Sequence, residues 1–291
     1  MKNFLSLFAK ILLTTLLLLV VLDFIYTAVY LQSKDRGKID YVYNSKGRSY
    51  DVVILGSSRA NNHFVSQMFE EKGLKTFNYG MSGSRLFESD LLLKLMIERH
   101  YKIKNIIIEV DLNIASDGIS ESTVAKVLPY IHHSKTIREH LNSVSNFNAF
   151  YYIPFYRYVA YEPQIGFREM VLSLIRKKSA YLKNGGYYAL NNEGENLTYD
   201  LSNYIPHQNK SYEEIKHICK ANKINLIAVM TPMCTNTKGL DYFEKVHQIY
   251  PEIYNYENAV EGDQYFSSCG HLNDAGARKF TAIIIRFFFN R

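Results

Sequence analysis

The chain has 291 residues, 47% of them hydrophobic and 21% charged, with a formal net charge of +6. That composition excludes a disordered polypeptide and fits one large domain or one domain carrying an insertion. The 34 Lys and Arg are scattered, with no basic run beside stacking aromatics, which argues against nucleic acid as a partner and leaves a mildly basic surface compatible with anionic membranes. Cys219, Cys234 and Cys269 show no paired spacing and the His residues lack ligand spacing, so neither a metal nor another cofactor is expected.

The first element is a long apolar stretch. Between Lys10 and Lys34 the only charge is Asp23, and residues 11–22 are apolar apart from two threonines. As a helix at ~1.5 Å per residue the stretch can cross a hydrocarbon core of ~30 Å. No small-x-small cleavage site or lipobox cysteine follows it, so residues 1–31 read as an uncleaved, single-pass signal anchor. Lys2 and Lys10 on one side balance Lys34, Arg36 and Lys38 on the other, and the positive-inside rule does not decide orientation. The short amino-terminal tail favours an extracytoplasmic body, with Asp23 near the membrane interface.

Residues 32–50 read as a polar linker. A domain over 51–291 then alternates short apolar runs with amphipathic stretches. The pattern predicts a strand at 51–55, a helix at 62–72, a strand at 76–79, a helix at 87–100 and a strand at 105–111. The period breaks over about 114–206, a Tyr- and Phe-rich segment read as a helical insertion at the sheet's carboxyl edge. It resumes with a helix at 212–222, a strand at 224–230, a helix at 240–249, a strand at 253–256 and a closing helix at 274–289. Alternating strands and helices predict an α/β fold with a doubly wound, mostly parallel sheet.

Four short motifs fall at the ends of these elements: Gly56-Ser57-Ser58, Asn78-Tyr79-Gly80-Met81-Ser82-Gly83, Asp111-Leu112-Asn113, and His271 within Gly270-His271-Leu272-Asn273-Asp274. A small hydroxyl where a strand stops and a His opening the last helix place a nucleophile and a base at the edge where open α/β sheets do chemistry. In this order the motifs resemble those of the SGNH/GDSL hydrolase superfamily, over roughly 51–113 and from 222 to the end. The resemblance implies a flavodoxin-like fold, with Ser58 as nucleophile, His271 as base, and Gly83 and Asn113 as oxyanion donors. Asn113 lacks the Gly that usually precedes the family's Asn.

One departure bears on activity. The family places Asp three residues before the His, and here that residue is Ser268. Asp263, Asp274 or a backbone carbonyl are alternatives for orienting the ring, and loss of catalysis is another. Cys234 and Cys269 both fall near the active edge, which leaves open a disulfide that holds the His loop. A membrane anchor ahead of an SGNH-like domain also resembles envelope-modifying proteins. It implies a serine esterase or O-acyltransferase acting on an acylated glycan or small acyl ester, beside a multi-spanning acyltransferase. The rival reading is an inactive module that binds glycan or that acyltransferase.

Overall fold

The computed structural model describes residues 1–289; the expected domain end at Arg291 lies outside them. In chain order, α1 (Lys2–Tyr30) and α2 (Lys38–Tyr43) precede β1 (Ser49–Leu55), α3 (Ser58–His63), α4 (Ser66–Glu70), β2 (Thr76–Asn78), α5 (Leu86–Glu98) and β3 (Lys102–Glu109). A run of short helices follows: α6 (Glu121–Ala125), α7 (Lys135–Leu141), α8 (Phe147–Tyr152), α9 (Tyr156–Ala160), α10 (Glu162–Ile165) and α11 (Phe167–Leu174). The chain continues through β4 (Tyr199–Asp200), α12 (Lys210–Ala221), β5 (Asn225–Met230), β6 (Thr237–Lys238), α13 (Asp241–Ile249) and β7 (Tyr254–Asn255). A hairpin of β8 (Phe266–Ser268) and β9 (His271–Leu272) leads into α14 (Asp274–Phe288). The chain divides into two compact units, residues 1–45 with 121–178, and residues 46–120 with 179 onward.

The second unit is built on a five-stranded sheet of order β2-β1-β3-β5-β7, parallel at every pairing. The register sets Val53 beside Phe77 on one side and Ile106 on the other, and Ile106 beside Leu226. Val52, Ile54, Ile107, Ile227 and Val229 share one core cluster with Phe64, Phe69, Phe280 and Ile284. The intervening Val53, Leu55, Ile106 and Ile108 point the other way and are buried as well. A sheet buried on both faces explains why these strands read as continuous apolar runs rather than alternating ones. Each such side chain contributes about 1.5–3 kcal/mol by burial. Because the sheet is parallel, the residues that follow β1, β3 and β5 all emerge at one edge.

The predicted helix over 62–72 breaks in two. The Val65 N–H donates to Thr281 Oγ1 (3.0 Å), and Thr281 Oγ1 donates in turn to the His63 carbonyl (3.1 Å). A threonine of α14 thus takes the backbone groups that a continuous helix would have used, and Phe64 and Val65 turn extended.

The first unit departs from the expected polar linker over 32–50. That stretch holds α2, whose Ile39, Val42 and Tyr43 are buried. Tyr43 stacks on Tyr130 with centroids 3.9 Å apart, and the Tyr130 hydroxyl donates to Asp40 (2.6 Å). Burial pushes the Asp40 carboxyl up to about 6 despite that hydrogen bond. The insertion is also shorter than 114–206, because residues from 179 belong with the sheet. Tyr188 N–H donates to the Asn61 carbonyl (3.1 Å), and the Tyr187 hydroxyl donates to Asp274 (2.9 Å). Helix α1 is 29 residues long. Among the described residues it alone is long and apolar enough to cross a membrane, with a mean hydropathy of 2.5 over its best window.

Candidate active site

Strand β1 delivers its chain into a tight turn. Gly56 has φ +136°, and a Cβ there would meet Glu109 Oε2 and the Ala60 Cβ, both at 2.8 Å; only glycine fits. Ser57 then donates both its N–H (2.8 Å) and its hydroxyl (2.6 Å) to Glu109 Oε2, fixing the turn to the end of β3. Ser57 also caps α3 by accepting from the Arg59 N–H (3.2 Å). Ser58 opens that helix, half-buried, at the sheet's carboxyl edge.

Across the cleft the β8–β9 hairpin presents His271. Ser58 Oγ lies 2.8 Å from His271 Nε2. With Ser58 donating, Nε2 is the acceptor, and Nδ1 carries the ring proton. That proton faces Ser268 Oγ at 3.2 Å. Ser268 and His271 are register partners across a two-residue turn, which puts their side chains on one face. Ser268 therefore occupies the position from which a carboxylate would orient the ring. The carboxylates considered from sequence are engaged elsewhere: Asp263 accepts from the Leu197 N–H (3.3 Å) and Asp274 from Tyr187 and Arg278.

The turn between Ser268 and His271 is Cys269-Gly270, with Gly270 at φ +88°. Cys269 forms a disulfide with Cys234, Cα atoms 5.0 Å apart, tying the hairpin to the segment that follows β5.

Ser58 and His271 open into a cleft of about 340 Å³ that is also lined by Gly83, Arg85, Asn113 and Tyr204. Gly83 has φ +78° in the loop after β2. Asn113 sits in a 3-10 turn over Asp111–Ala115, immediately after β3. All four residues expected at the site thus meet at one cleft. Among the described residues no group of three or more His, Cys, Asp or Glu side chains is placed to hold a metal ion.

Beneath the cleft lies a buried network that the sequence did not reveal. Arg59 pairs with Asp111 (Nε to Oδ2, 2.8 Å) and donates to the Thr231 and Pro232 carbonyls. Thr231 donates its N–H and hydroxyl to the two Asp111 oxygens (2.6 and 2.7 Å). Since that hydroxyl's proton is committed, it accepts from His63 Nδ1 (3.0 Å), and His63 Nε2 accepts the Leu272 N–H (3.0 Å). His63 therefore braces the residue beside His271. Burial, with Arg59 and His271 nearby, holds its pKa well below the usual imidazole value. Single Arg and His residues in a helix-like stretch carried no sign of this role; it depends on three strand ends converging.

His271 is held low as well, at about 4, first by burial and then by the Arg59 charge. If His271 serves as a general base it must be neutral, and the acid limb of kcat/KM would then fall near pH 4 rather than near the ordinary ~6.5. Ser268→Asp should stabilise the imidazolium, move that limb upward and raise turnover at neutral pH. A pH–rate profile on a short-chain acyl ester checks both, and an unmoved limb contradicts the Ser268–His271 contact. Stability follows the same sign. Both imidazoles bind protons more weakly folded than unfolded, so their contribution is full above ~6.5 and is lost as pH falls toward the folded values.

No family model and no curated protein matches this chain. A solved structure from Streptococcus pneumoniae, provisionally assigned as a platelet activating factor, aligns with 98% of this chain and 99% of its own at 12% identity, with a TM-score of 0.32.

Proposed function

We propose that this protein is a membrane-anchored serine esterase or O-acyltransferase of SGNH type, acting on acyl groups of a bacterial envelope polysaccharide. The observation that carries the reading is the 2.8 Å contact between Ser58 Oγ and His271 Nε2 at the mouth of a cleft. The strand order 2-1-3-4-5, counted along the main sheet, is that of flavodoxin-like folds and supports it. Helix α1 serves as the anchor. The Cys234–Cys269 disulfide supports an oxidising, extracytoplasmic location for the body.

In the first half-reaction Ser58 Oγ bonds to the acyl carbon while its proton passes to His271 Nε2. The resulting oxyanion takes hydrogen bonds from the Ser58 and Gly83 N–H groups and the Asn113 amide. Collapse breaks the ester C–O bond, and His271 returns the proton to the leaving alkoxide. Water or a sugar hydroxyl then attacks the acyl-Ser58 ester by the same steps reversed, giving hydrolysis or transfer. An acylated glycan and a multi-spanning acyltransferase are the partners this assignment implies.

Ser268 in place of a carboxylate favours a second reading, an inactive module that binds glycan or a membrane acyltransferase. A fluorophosphonate probe separates the two. The esterase reading expects labelling of the folded full-length protein and none of Ser58→Ala. An unlabelled, folded wild-type protein supports the binding module.

A further inference from the structure

We infer that the turn joining α8 to α9, together with the outer face of α11, is seated in the lipid interface around the point where α1 leaves the bilayer. The inference rests on reading α1 as a membrane anchor.

Keeping Lys10 at one boundary, a helix crossing a ~30 Å hydrocarbon core needs about 20 residues, which carries the span past Asp23 to the region of Tyr26–Tyr30. A lone carboxylate at that level is strongly disfavoured. Asp23 is not alone. Its Oδ1 pairs with Arg157 at 2.6 Å, and its Oδ2 accepts the Phe155 N–H at 2.7 Å. Thr27 Oγ1 lies 2.8 Å from the Tyr158 hydroxyl, and Tyr26 meets the Phe155 ring edge-on at 4.9 Å. The segment that supplies these partners is therefore held at the level of Asp23, just inside the edge at which α1 leaves the apolar slab.

The pattern of exposure on that segment is inverted relative to a water-facing helix. Arg157 is 1% exposed, while Ile153 is 50% and Val159 62% exposed. A helix facing water would bury Val159 and hydrate the guanidinium. Tyr152 and Pro154 share a cavity of about 320 Å³ with Val20 and Phe24 of α1, so this apolar surface is continuous with the anchor's own. On α11 and just after it, Phe167, Leu174 and Ile175 are exposed. Arg168, Arg176, Lys177 and Lys178 are exposed among them. Apolar and tyrosine side chains rimmed by long cationic ones suit the acyl–headgroup boundary, where stems lie in the apolar layer and charges reach phosphate. That mixture fits lipid better than a second protein surface, whose buried centre would be depleted in lysine.

The chain contains no Trp, so a single introduced indole reports its own surroundings. Full-length Ile153→Trp, Val159→Trp and Phe167→Trp would be reconstituted into phosphatidylcholine–phosphatidylglycerol vesicles with and without dibrominated acyl chains. Emission should fall about two-fold or more with brominated lipid, and acrylamide should quench far less than it quenches free indole. Protein that floats with vesicles but shows free acrylamide access, or shielding from both quenchers, overturns the lipid seat and leaves the anchor standing. Protein that fails to float with vesicles overturns the anchor and this inference together.

Discussion

Ser58→Ala and His271→Ala are each expected to remove nearly all ester turnover, and the double variant to remove little more. The two side chains form one hydrogen bond at 2.8 Å and act on the same proton transfer, so losing either disables the same step. The size of the loss follows from what Ser268 lacks. A complete triad is worth roughly 10⁶-fold, and absence of its carboxylate alone costs about 10⁴-fold. A triad completed by a serine hydroxyl starts lower, so the drop should be at least about 10²-fold and larger to the degree that Ser268 orients the ring. Equal rates for wild type and Ser58→Ala on a short-chain ester contradict the assignment. Additive losses in the double variant contradict the shared step.

The largest effect on stability is expected at Arg59. Its guanidinium and the Asp111 carboxylate are both nearly sealed from solvent, 6% and 0% exposed by side chain. Arg59→Met leaves a buried carboxylate opposite no charge and should cost about 3–5 kcal/mol of unfolding free energy. Burial already pushes the Asp111 carboxyl upward, with the Arg59 charge opposing. Without that charge Asp111 will favour the neutral acid, whose folded pKa lies above the unfolded one. The deficit should therefore shrink as pH falls and widen as pH rises. Adding Asp111→Asn should recover part of the loss, because it removes the unpaired charge while keeping an oxygen to accept the Thr231 N–H. Denaturant titrations at pH 5 and pH 8 test this; a deficit independent of pH contradicts the unpaired-carboxylate account.

How much of this was legible in sequence depended on how local each cause was. The runs 51–55, 105–111 and 224–230 predicted the three central strands, since a strand buried on both faces is apolar at nearly every position. The break of helix 62–72 was invisible, because its cause, Thr281, lies more than two hundred residues away. The polar reading of 32–50 failed similarly, as Asp40 and Tyr43 find their partner in Tyr130 of the insertion. At the cleft, Ser58, Gly83, Asn113 and His271 each stand at an element's end, where short motifs show. Ser268 read as a missing carboxylate. Its contact with His271 depends on a hairpin register that a stretch of three residues does not announce. His63, Thr231 and Arg59 carried no motif, and their joint role needs the strand ends already assembled.

The most direct test of the account is chemical capture of the acyl-enzyme. Full-length protein would be mixed with p-nitrophenyl acetate, quenched rapidly in acid and digested, and the peptide containing Ser58 weighed. One acetyl group on Ser58 is expected, absent from Ser58→Ala and strongly diminished in His271→Ala. Turnover of the ester with no acetyl on Ser58, or the same acetylated peptides from Ser58→Ala, would contradict Ser58 as the nucleophile.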